Sequence, residues 1–155
     1  MYPHFESHQA HLSWLPVSSD SPIPPHAIEA GSGIYVIRGR SGGDVIPGKW
    51  VRGHDSAYLP FGGEEVAVRS FEVLCNTNLN VNRRDYHWIS SSGGSNHPKA
   101  VAAGMTEGGE VLFVARADIN GELSVGKVHP SHNCAYFPWG GGEHKRSHYE
   151  ILCFS

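Results

Sequence analysis

Charge is scarce in this chain of 155 residues. Charged residues make up 17% of it, and 12 Lys and Arg stand against 15 Asp and Glu, so the formal net charge is −3. Proteins that bind nucleic acid concentrate Lys and Arg on one face, and the sequence has no such basic run. We therefore expect no nucleic acid among its partners.

Long hydrophobic runs are missing as well. The longest apolar segment, Val111–Ala115, has the length of a strand and is far too short for a membrane-spanning helix. The N-terminus has no basic segment followed by an apolar run, which predicts the absence of a signal peptide. We expect a protein that is cytoplasmic, or that is released without a signal peptide.

Cysteine is rare, and a sustained helical period with caps is found nowhere in the sequence. The three cysteines, Cys75, Cys134 and Cys153, are an odd number. Without an export signal they are expected to be reduced residues of the core. Glycine and proline, in contrast, are plentiful at 19 and 10 residues, which indicates many tight turns. Together these features predict an all-β fold of short strands.

Most of the chain occurs twice. Residues 43–75 match residues 121–153 without a gap, and Lys49 corresponds to Lys127 at an offset of 127 − 49 = 78. The same offset relates several other chemically distinctive residues: His54 to His132, Tyr58 to Tyr136, Glu65 to Glu143, Glu72 to Glu150 and Cys75 to Cys153. A period of this length exceeds that of the usual solenoid repeats, so the pattern indicates two copies of one supersecondary unit.

The repeat sets the predicted organisation. We place repeat 1 at residues 14–75 and repeat 2 at residues 86–153, with residues 1–13 as a loosely held N-terminal arm. The polar linker Asn76–Asp85 is short, so the two halves must touch. Runs rich in β-branched and aromatic residues predict the strands Ile34–Arg40, Asp44–Val51, Ala57–Phe61, Phe71–Cys75 and Val111–Ala117. We predict two pseudo-symmetric tandem antiparallel β-meanders packed into one sandwich or barrel, because one meander alone would be marginally stable.

Shared motifs give the two copies a recognisable pattern. Each has Gly-Lys, then H-x-x-A-Y-x-P-[FW]-G-G, a Glu and finally [FY]-E-[VI]-L-C, and each has a strand of the form [YF]-V-x-R upstream. This pattern resembles the DM9 (DM-nine) repeat family over nearly the whole chain. The resemblance implies an all-β fold. It also implies mannose-type glycan recognition without catalysis or calcium, in pattern-recognition lectins of invertebrate innate immunity, and the same repeat occurs in natterin-like proteins.

The resemblance also implies site residues. In lectin members a Lys that follows the Gly of this motif contacts the sugar, and these positions are Lys49 and Lys127 here. The lectin members also have an Asp about twenty residues upstream of this Lys, and it has no counterpart here. In repeat 2 its position falls near Thr106, next to Glu107. In repeat 1 the corresponding loop, before the Y-V-x-R strand, is shortened around Ser32. The candidate sugar-binding residues are therefore Lys49, Lys127, Thr106, Glu107 and Ser32.

Other polar and aromatic repeat residues are given structural roles. We expect Glu65 and Glu143 to form ion pairs with Lys49 and Lys127, or with Arg38 and Arg116. Glu72 and Glu150 are expected on a solvent face or as partners of those arginines. The repeated aromatic residues are interpreted as core: Tyr58, Tyr136, Phe61, Trp139, Trp14 and Trp88.

Catalysis and metal binding find little support in the sequence. The spacing His129-x-x-His132-x-Cys134 suits zinc, but a metal built into the repeat would need its ligands in both copies, and Ser56 replaces Cys134 in repeat 1. No nucleophile elbow or phosphate-binding loop is present. We therefore expect no enzyme, no cofactor and no metal.

The predicted function is metal-independent recognition of mannose or mannose-containing glycans, with avidity from two sites per chain or from a homodimer. The alternative is an intracellular adaptor that has lost the sugar site and binds protein or vesicle membrane. A glycan array run with a chelator discriminates the two, because only the lectin binds mannan under those conditions.

Overall fold

The structure, a computed structural model, describes residues 8–9, 11–77, 85–95 and 97–155. Within these ranges it contains one turn of 3-10 helix, Pro130–His132, and fifteen strands. The strands are β1 (His8–Gln9), β2 (Leu12–Ser18), β3 (Glu29–Gly31), β4 (Ile34–Ser41), β5 (Asp44–Val51), β6 (Ala57–Phe61), β7 (Glu64–Val68), β8 (Ser70–Asn76), β9 (Tyr86–Ser92), β10 (Ala102–Met105), β11 (Val111–Ile119), β12 (Glu122–His129), β13 (Cys134–Trp139), β14 (Gly142–Arg146) and β15 (His148–Phe154).

Eight of these strands close into a barrel drawn from both repeats. Antiparallel pairs run from β5 through β6, β7, β14, β13, β12 and β11 to β10. The ring closes where Met105 of β10 pairs with Val45 of β5. The repeats meet a second time where Glu64 of β7 pairs with Gly142 of β14. Closure removes the free edges that two separate sheets would expose.

The remaining strands extend the barrel on each side in the same order. In repeat 1, β8 returns to pair with β4, and β2 pairs with β8. In repeat 2, β15 pairs with β11, and β9 pairs with β15. The all-β fold with two pseudo-symmetric halves is thus confirmed. Within each half, a run of hairpins, β4 to β7 or β11 to β14, precedes the last strand, which crosses back.

The two repeats share one core. Its central cluster joins Trp14, Val36 and Leu74 of repeat 1 to Val114 and Leu152 of repeat 2, all of them buried. Further clusters lie on either side, and Leu112 of repeat 2 packs into the one built mainly from repeat 1. Neither half alone could exclude water from this central layer, so the halves form one folding unit.

Two equivalent arginines, one in each repeat, link the halves at this core. Arg38 donates from Nε to Glu72 Oε1 (2.8 Å) and from Nη1 to the Ala103 carbonyl of the other repeat (3.3 Å). Its equivalent Arg116 donates to Glu150 Oε1 (2.9 Å) and to the Ala30 carbonyl (2.7 Å). The two guanidinium groups also lie over Trp14 and Trp88, at 4.5 and 4.4 Å from the ring centroids. The expectation that Glu72 and Glu150 partner these arginines is confirmed.

The ends of the predicted units differ in detail from the structure. Strand β2 begins at Leu12, which is buried in the core, and β1 (His8–Gln9) pairs with it, so four residues of the predicted arm, at positions 8, 9, 12 and 13, belong to the sheet. Most of the predicted linker, residues 78–84, lies outside the described residues, as do residues 1–7 and 10 of the arm. All three cysteines are free and buried, as expected. In the described ranges no helix is long and apolar enough to span a membrane.

Candidate functional site

The glycine before each repeated lysine is required by close packing of the barrel strands. A Cβ at Gly48 would lie 2.1 Å from the Tyr58 carbonyl oxygen, and one at Gly126 would lie 1.9 Å from that of Tyr136. Only glycine allows this approach. Lys49 and Lys127 come directly after it and pair in register with Tyr58 and Tyr136. The repeated Gly-Lys thus fixes the position of a cation on the barrel wall.

Each lysine forms an ion pair within its own repeat. Lys49 Nζ lies 3.4 Å from Glu65 Oε2, and Lys127 Nζ lies 3.2 Å from Glu143 Oε2. Both lysines are only 7% exposed. The expectation that Glu65 and Glu143 are structural partners of the lysines is confirmed. An ammonium group has three donors, however, and a carboxylate accepts several hydrogen bonds, so one such contact leaves capacity on both groups.

The other oxygen of each carboxylate reaches across to the opposite repeat. Glu65 Oε1 accepts a hydrogen bond from the Gly141 N–H at 3.1 Å, and Glu143 Oε1 accepts one from the Gly63 N–H at 3.0 Å. These turn glycines have φ angles of 87° and 83°, in the left-handed region that favours glycine. The glutamates therefore hold the lysines and at the same time join the repeats.

A cavity of about 540 Å³ opens beside the first lysine, and we call it the Lys49 cavity. Lys49, Glu65, His54 and Tyr58 supply donors and acceptors on its wall. Its apolar lining consists of Ile34, Val51, Leu123 and Trp139. Fixed polar groups beside apolar surface, in a hollow of this size, match the chemistry of a small polyhydroxylated ligand.

Repeat 2 contributes part of this cavity. Glu122, Leu123, Trp139 and Gly140 line it together with the residues of repeat 1. Glu122 supplies a carboxylate that the loop around Ser32 does not contain, and Trp139 supplies an aromatic side chain. The interpretation of Trp139 and Tyr58 as core residues was therefore incomplete, because both are half-buried and line the cavity. Trp139 also packs against the repeat 2 core.

Sequence reasoning missed Glu122 although a signal was present. Each copy has an acid directly after a hairpin turn that ends in Gly, Asp44 after Gly43 and Glu122 after Gly121. The two acids are related by 122 − 44 = 78, the offset of the lysines. The motif places an acid in the lysine's own repeat, whereas in the barrel Glu122 of the other repeat lines the Lys49 cavity.

The surroundings of Lys127 differ from those of Lys49. Its ammonium lies 5.6 Å from the ring centroid of Phe61, the equivalent of Trp139, and 5.4 Å from that of Tyr136. Burial, with a smaller effect of Cys134, raises the pKa of Tyr136 to about 12. The phenol is therefore protonated at neutral pH, and its oxygen lies within hydrogen-bond distance of His132 Nδ1, 3.0 Å away.

His129 adds a feature that repeat 1 lacks, since Val51 occupies the equivalent position. Its Nε2 lies 3.2 Å from Glu110 Oε1, and its ring meets that of His132 at a centroid distance of 3.6 Å. Burial lowers the pKa of His129, and the charges of His132 and Lys127 lower it further, while Glu110 opposes them. Glu110 also accepts hydrogen bonds from the N–H and hydroxyl of Ser131, at 2.7 and 2.6 Å. No group of three or more potential metal ligands is found among the described residues.

The remaining predicted site residues do not line the Lys49 cavity. Thr106 shapes its own loop, where its Oγ1 accepts a hydrogen bond from the Glu110 N–H at 3.0 Å. Glu107 is exposed, and its backbone N–H donates to Asp44 Oδ1 at 2.8 Å. Both therefore lie beside the Asp44 turn, the pseudo-symmetric counterpart of the Glu122 turn. Ser32 is exposed in the turn between β3 and β4.

Comparison with known proteins gives results consistent with this architecture. A family model for the DM9 repeat matches residues 29–146. Natterin-4 from Thalassophryne nattereri is 30% identical over 152 residues, which cover 94% of this chain and 35% of that protein. The chain thus spans about a third of the length of this relative.

A solved structure is similar as well. The nematode sperm cell motility protein MFP2B superposes with a TM-score of 0.69 at 14% identity, over 93% of this chain and 44% of the other. At that identity the likeness establishes the fold alone.

Proposed function

The chain belongs to the DM9 repeat family, and from that membership and the Lys49 cavity we propose that it is a carbohydrate-binding protein, a lectin without catalytic activity. Its ligands are mannose-type glycans, and its role is pattern recognition on glycan-coated surfaces in innate immunity. The observation that carries the proposal is a cavity lined by a fixed ammonium–carboxylate pair and by a tryptophan.

The chemistry of the cavity suits vicinal hydroxyl groups. One sugar hydroxyl accepts a hydrogen bond from Lys49 Nζ, and its neighbour donates to the carboxylate of Glu65 or Glu122. Lys49 and Glu65 already hold each other in place, so their side chains lose little conformational freedom when ligand binds. The C–H groups of the sugar ring pack on Trp139 and Leu123. The cavity's own side chains supply every one of these contacts.

Affinity for a single sugar is expected to be weak, because a small ligand gains little free energy in a wet site. The repeat provides a second lysine with its own glutamate at Lys127, on the opposite side of the pseudo-two-fold axis. Two sites on one rigid barrel increase avidity toward a surface that displays many glycans. Dimerisation of the chain would double that number.

Binding to mannan-coated resin in the presence of EDTA tests the proposal. The wild type is expected to bind. Lys49→Met, which keeps the aliphatic stem, and Glu122→Gln, which replaces a charged carboxylate by a neutral amide on an exposed residue, are each expected to weaken binding at least tenfold. Lys145→Met removes an exposed lysine of β14 and is the matched control.

The outcomes separate the lectin from its rival. Full binding by both cavity variants would show that the cavity does not hold the sugar. A wild type that binds no glycan on an array but sediments with vesicles would instead support the adaptor.

A further inference from the structure

The charges that line the Lys49 cavity do not cancel. Lys49 pairs with Glu65 at 3.4 Å, and Glu122 adds a second carboxylate to the lining. With His54 counted as neutral, the lining has one positive and two negative charges, which leaves a net charge of −1. The cavity is therefore acidic before any ligand binds.

The uncompensated charge is also the accessible one. The side chains of Lys49 and Glu65 are only 9% and 14% exposed, and each neutralises the other. Glu122, in contrast, is exposed at the start of β12. Arg52 follows the cavity residue Val51 along the chain, but it does not line the cavity and pairs with a glutamate of β3 at 3.8 Å. A ligand that enters the cavity thus meets the Glu122 carboxylate as the accessible charge.

Repeat 2 shows the same acid in a structural role. Asp44 is the equivalent of Glu122, and its Oδ1 accepts a hydrogen bond from the Glu107 N–H at 2.8 Å. That N–H belongs to the loop of residues 106–110, between β10 and β11. In repeat 1 only residues 32–33 lie between the equivalent strands, β3 and β4. The longer loop of repeat 2 therefore supplies Asp44 with a backbone partner.

Glu122 has no partner of this kind. Among the residues that the structure describes, its carboxylate forms no hydrogen bond and no ion pair. Its oxygens can therefore accept hydrogen bonds from a donor on a ligand. Donors that carry a positive charge form the stronger bonds with a carboxylate, because the charges attract each other as well.

The aromatic part of the cavity suits a cation too. Trp139 lines the cavity, and the ring of His144 lies against it at a centroid distance of 5.7 Å and an interplanar angle of 77°. His144 Nε2 also donates a hydrogen bond to the Trp139 carbonyl oxygen at 2.9 Å. The face of an indole ring attracts a nearby cation. The carboxylate and the indole therefore favour the same kind of ligand group.

We propose that the Lys49 cavity selects sugars by charge: it prefers an amino sugar with a free, protonated amine to the neutral sugar, and it disfavours a sugar that carries a carboxylate. The inference rests on the proposed function, because the hydroxyl groups of the sugar are bound as described there. The ammonium group of the ligand lies against Glu122, which attracts it. Glu122 repels a carboxylate in the same place. Glu122 is thus the residue that determines this specificity.

Mannose derivatives that differ in charge at one carbon test the selectivity. Methyl α-mannoside is neutral, its 6-amino-6-deoxy analogue carries an ammonium group, and the methyl mannuronoside carries a carboxylate at the same carbon. Mannosamine, compared with neutral N-acetylmannosamine, places the positive charge at carbon 2 instead. NMR titration of the full chain at pH 7 and low salt gives the dissociation constants.

At one or both carbons the ammonium form is expected to bind about threefold more tightly than the neutral form, and the carboxylate form about threefold more weakly, as for one exposed ion pair. Added salt should reduce these differences. If the neutral sugar binds and neither ammonium form binds more tightly, this inference fails while the proposed function stands. If no form binds, the proposed function fails and this inference with it.

Three variants test the role of Glu122. Glu122→Gln removes the charge and keeps the shape, so the differently charged sugars should bind within about twofold of one another. Glu122→Asp keeps the charge and should keep the wild-type order, which decides the matter if Glu122→Gln binds too weakly to measure. Asp20→Asn removes an exposed acid that does not line the cavity and is the matched control. The wild-type order in Glu122→Gln, or an equal loss of selectivity in Asp20→Asn, would overturn the assignment.

Discussion

Truncation of Glu143 gives the sharpest test of how the repeats are joined. In Glu143→Ala, Lys127, whose side chain is 9% exposed in the wild type, loses its counter-charge at 3.2 Å, and the Gly63 N–H loses its acceptor. An uncompensated buried charge costs about 3–5 kcal/mol. The lost hydrogen bond adds little, because water reaches Gly63. We therefore expect a loss of about 3–4 kcal/mol, which lowers Tm by about 6–16 °C in a chain of this size.

Urea unfolding followed by tryptophan fluorescence measures this loss, and the double variant Lys127→Met/Glu143→Leu tests its cause. Removing both charges leaves no charge buried alone, so the double variant should lie within about 1 kcal/mol of the wild type. Glu107→Ala, at an exposed position, is the control and should change stability by less than about 0.5 kcal/mol. The reasoning fails if Glu143→Ala costs less than about 1 kcal/mol, or if the double variant costs as much as the single one.

Three further predictions concern backbone, thiol and imidazole. Gly126→Ala should prevent stable folding, because its Cβ would lie 1.9 Å from the Tyr136 carbonyl oxygen. Gly108→Ala should leave the stability unchanged, because its Cβ would meet no atom nearer than 3.9 Å. Thermal unfolding of both variants checks this. Burial raises the pKa of Cys75 to about 11, so iodoacetamide at pH 8 should modify it in urea but not in the native protein, as mass spectrometry would show. Because the pKa of His129 is lowered in the folded protein, its contribution to stability is present above its unfolded pKa of about 6.5 and is lost as pH falls below that value. The urea midpoint of the wild type should therefore fall between pH 8 and pH 5 more steeply than that of His129→Phe. Equal pH dependence of the two midpoints would exclude the effect.

Strands could be predicted from the sequence wherever β-branched and aromatic residues formed a run of strand length. The predicted strands Asp44–Val51 and Ala57–Phe61 match β5 and β6 at both ends, since β-branched and aromatic residues lie between glycine turns. The glutamate partners of the lysines and arginines were also predictable, because each pair recurs at the same spacing. Strands β7 and β14 were missed. The sequence of β14, GEHKR, is polar, and that of β7, EEVAV, begins with two acids and has only three apolar residues, so neither carries a strong strand signal.

Contacts between the repeats could not be read from the chain. Closure of the barrel depends on the pairing of Met105 with Val45, which is 60 residues away. Nothing in the sequence around either residue predicts that pairing. In the closed barrel Glu122 and Trp139 line the Lys49 cavity, a proximity that the spacing within one repeat does not reveal. The offset of 78 identifies equivalent residues in the two repeats, but it does not predict which residues of one repeat contact the other.

The central claim, that the Lys49 cavity binds a sugar, is tested most directly by titrating the ¹⁵N-labelled protein with methyl α-mannoside in EDTA. The account predicts shifts of the Trp139 indole N–H and of the backbone amides of Lys49, Tyr58 and Glu122, all following one binding curve. Backbone amides of residues that do not line the cavity, such as Arg146, should not move. A spectrum unchanged at these four residues, or shifts confined to other surfaces, would contradict it.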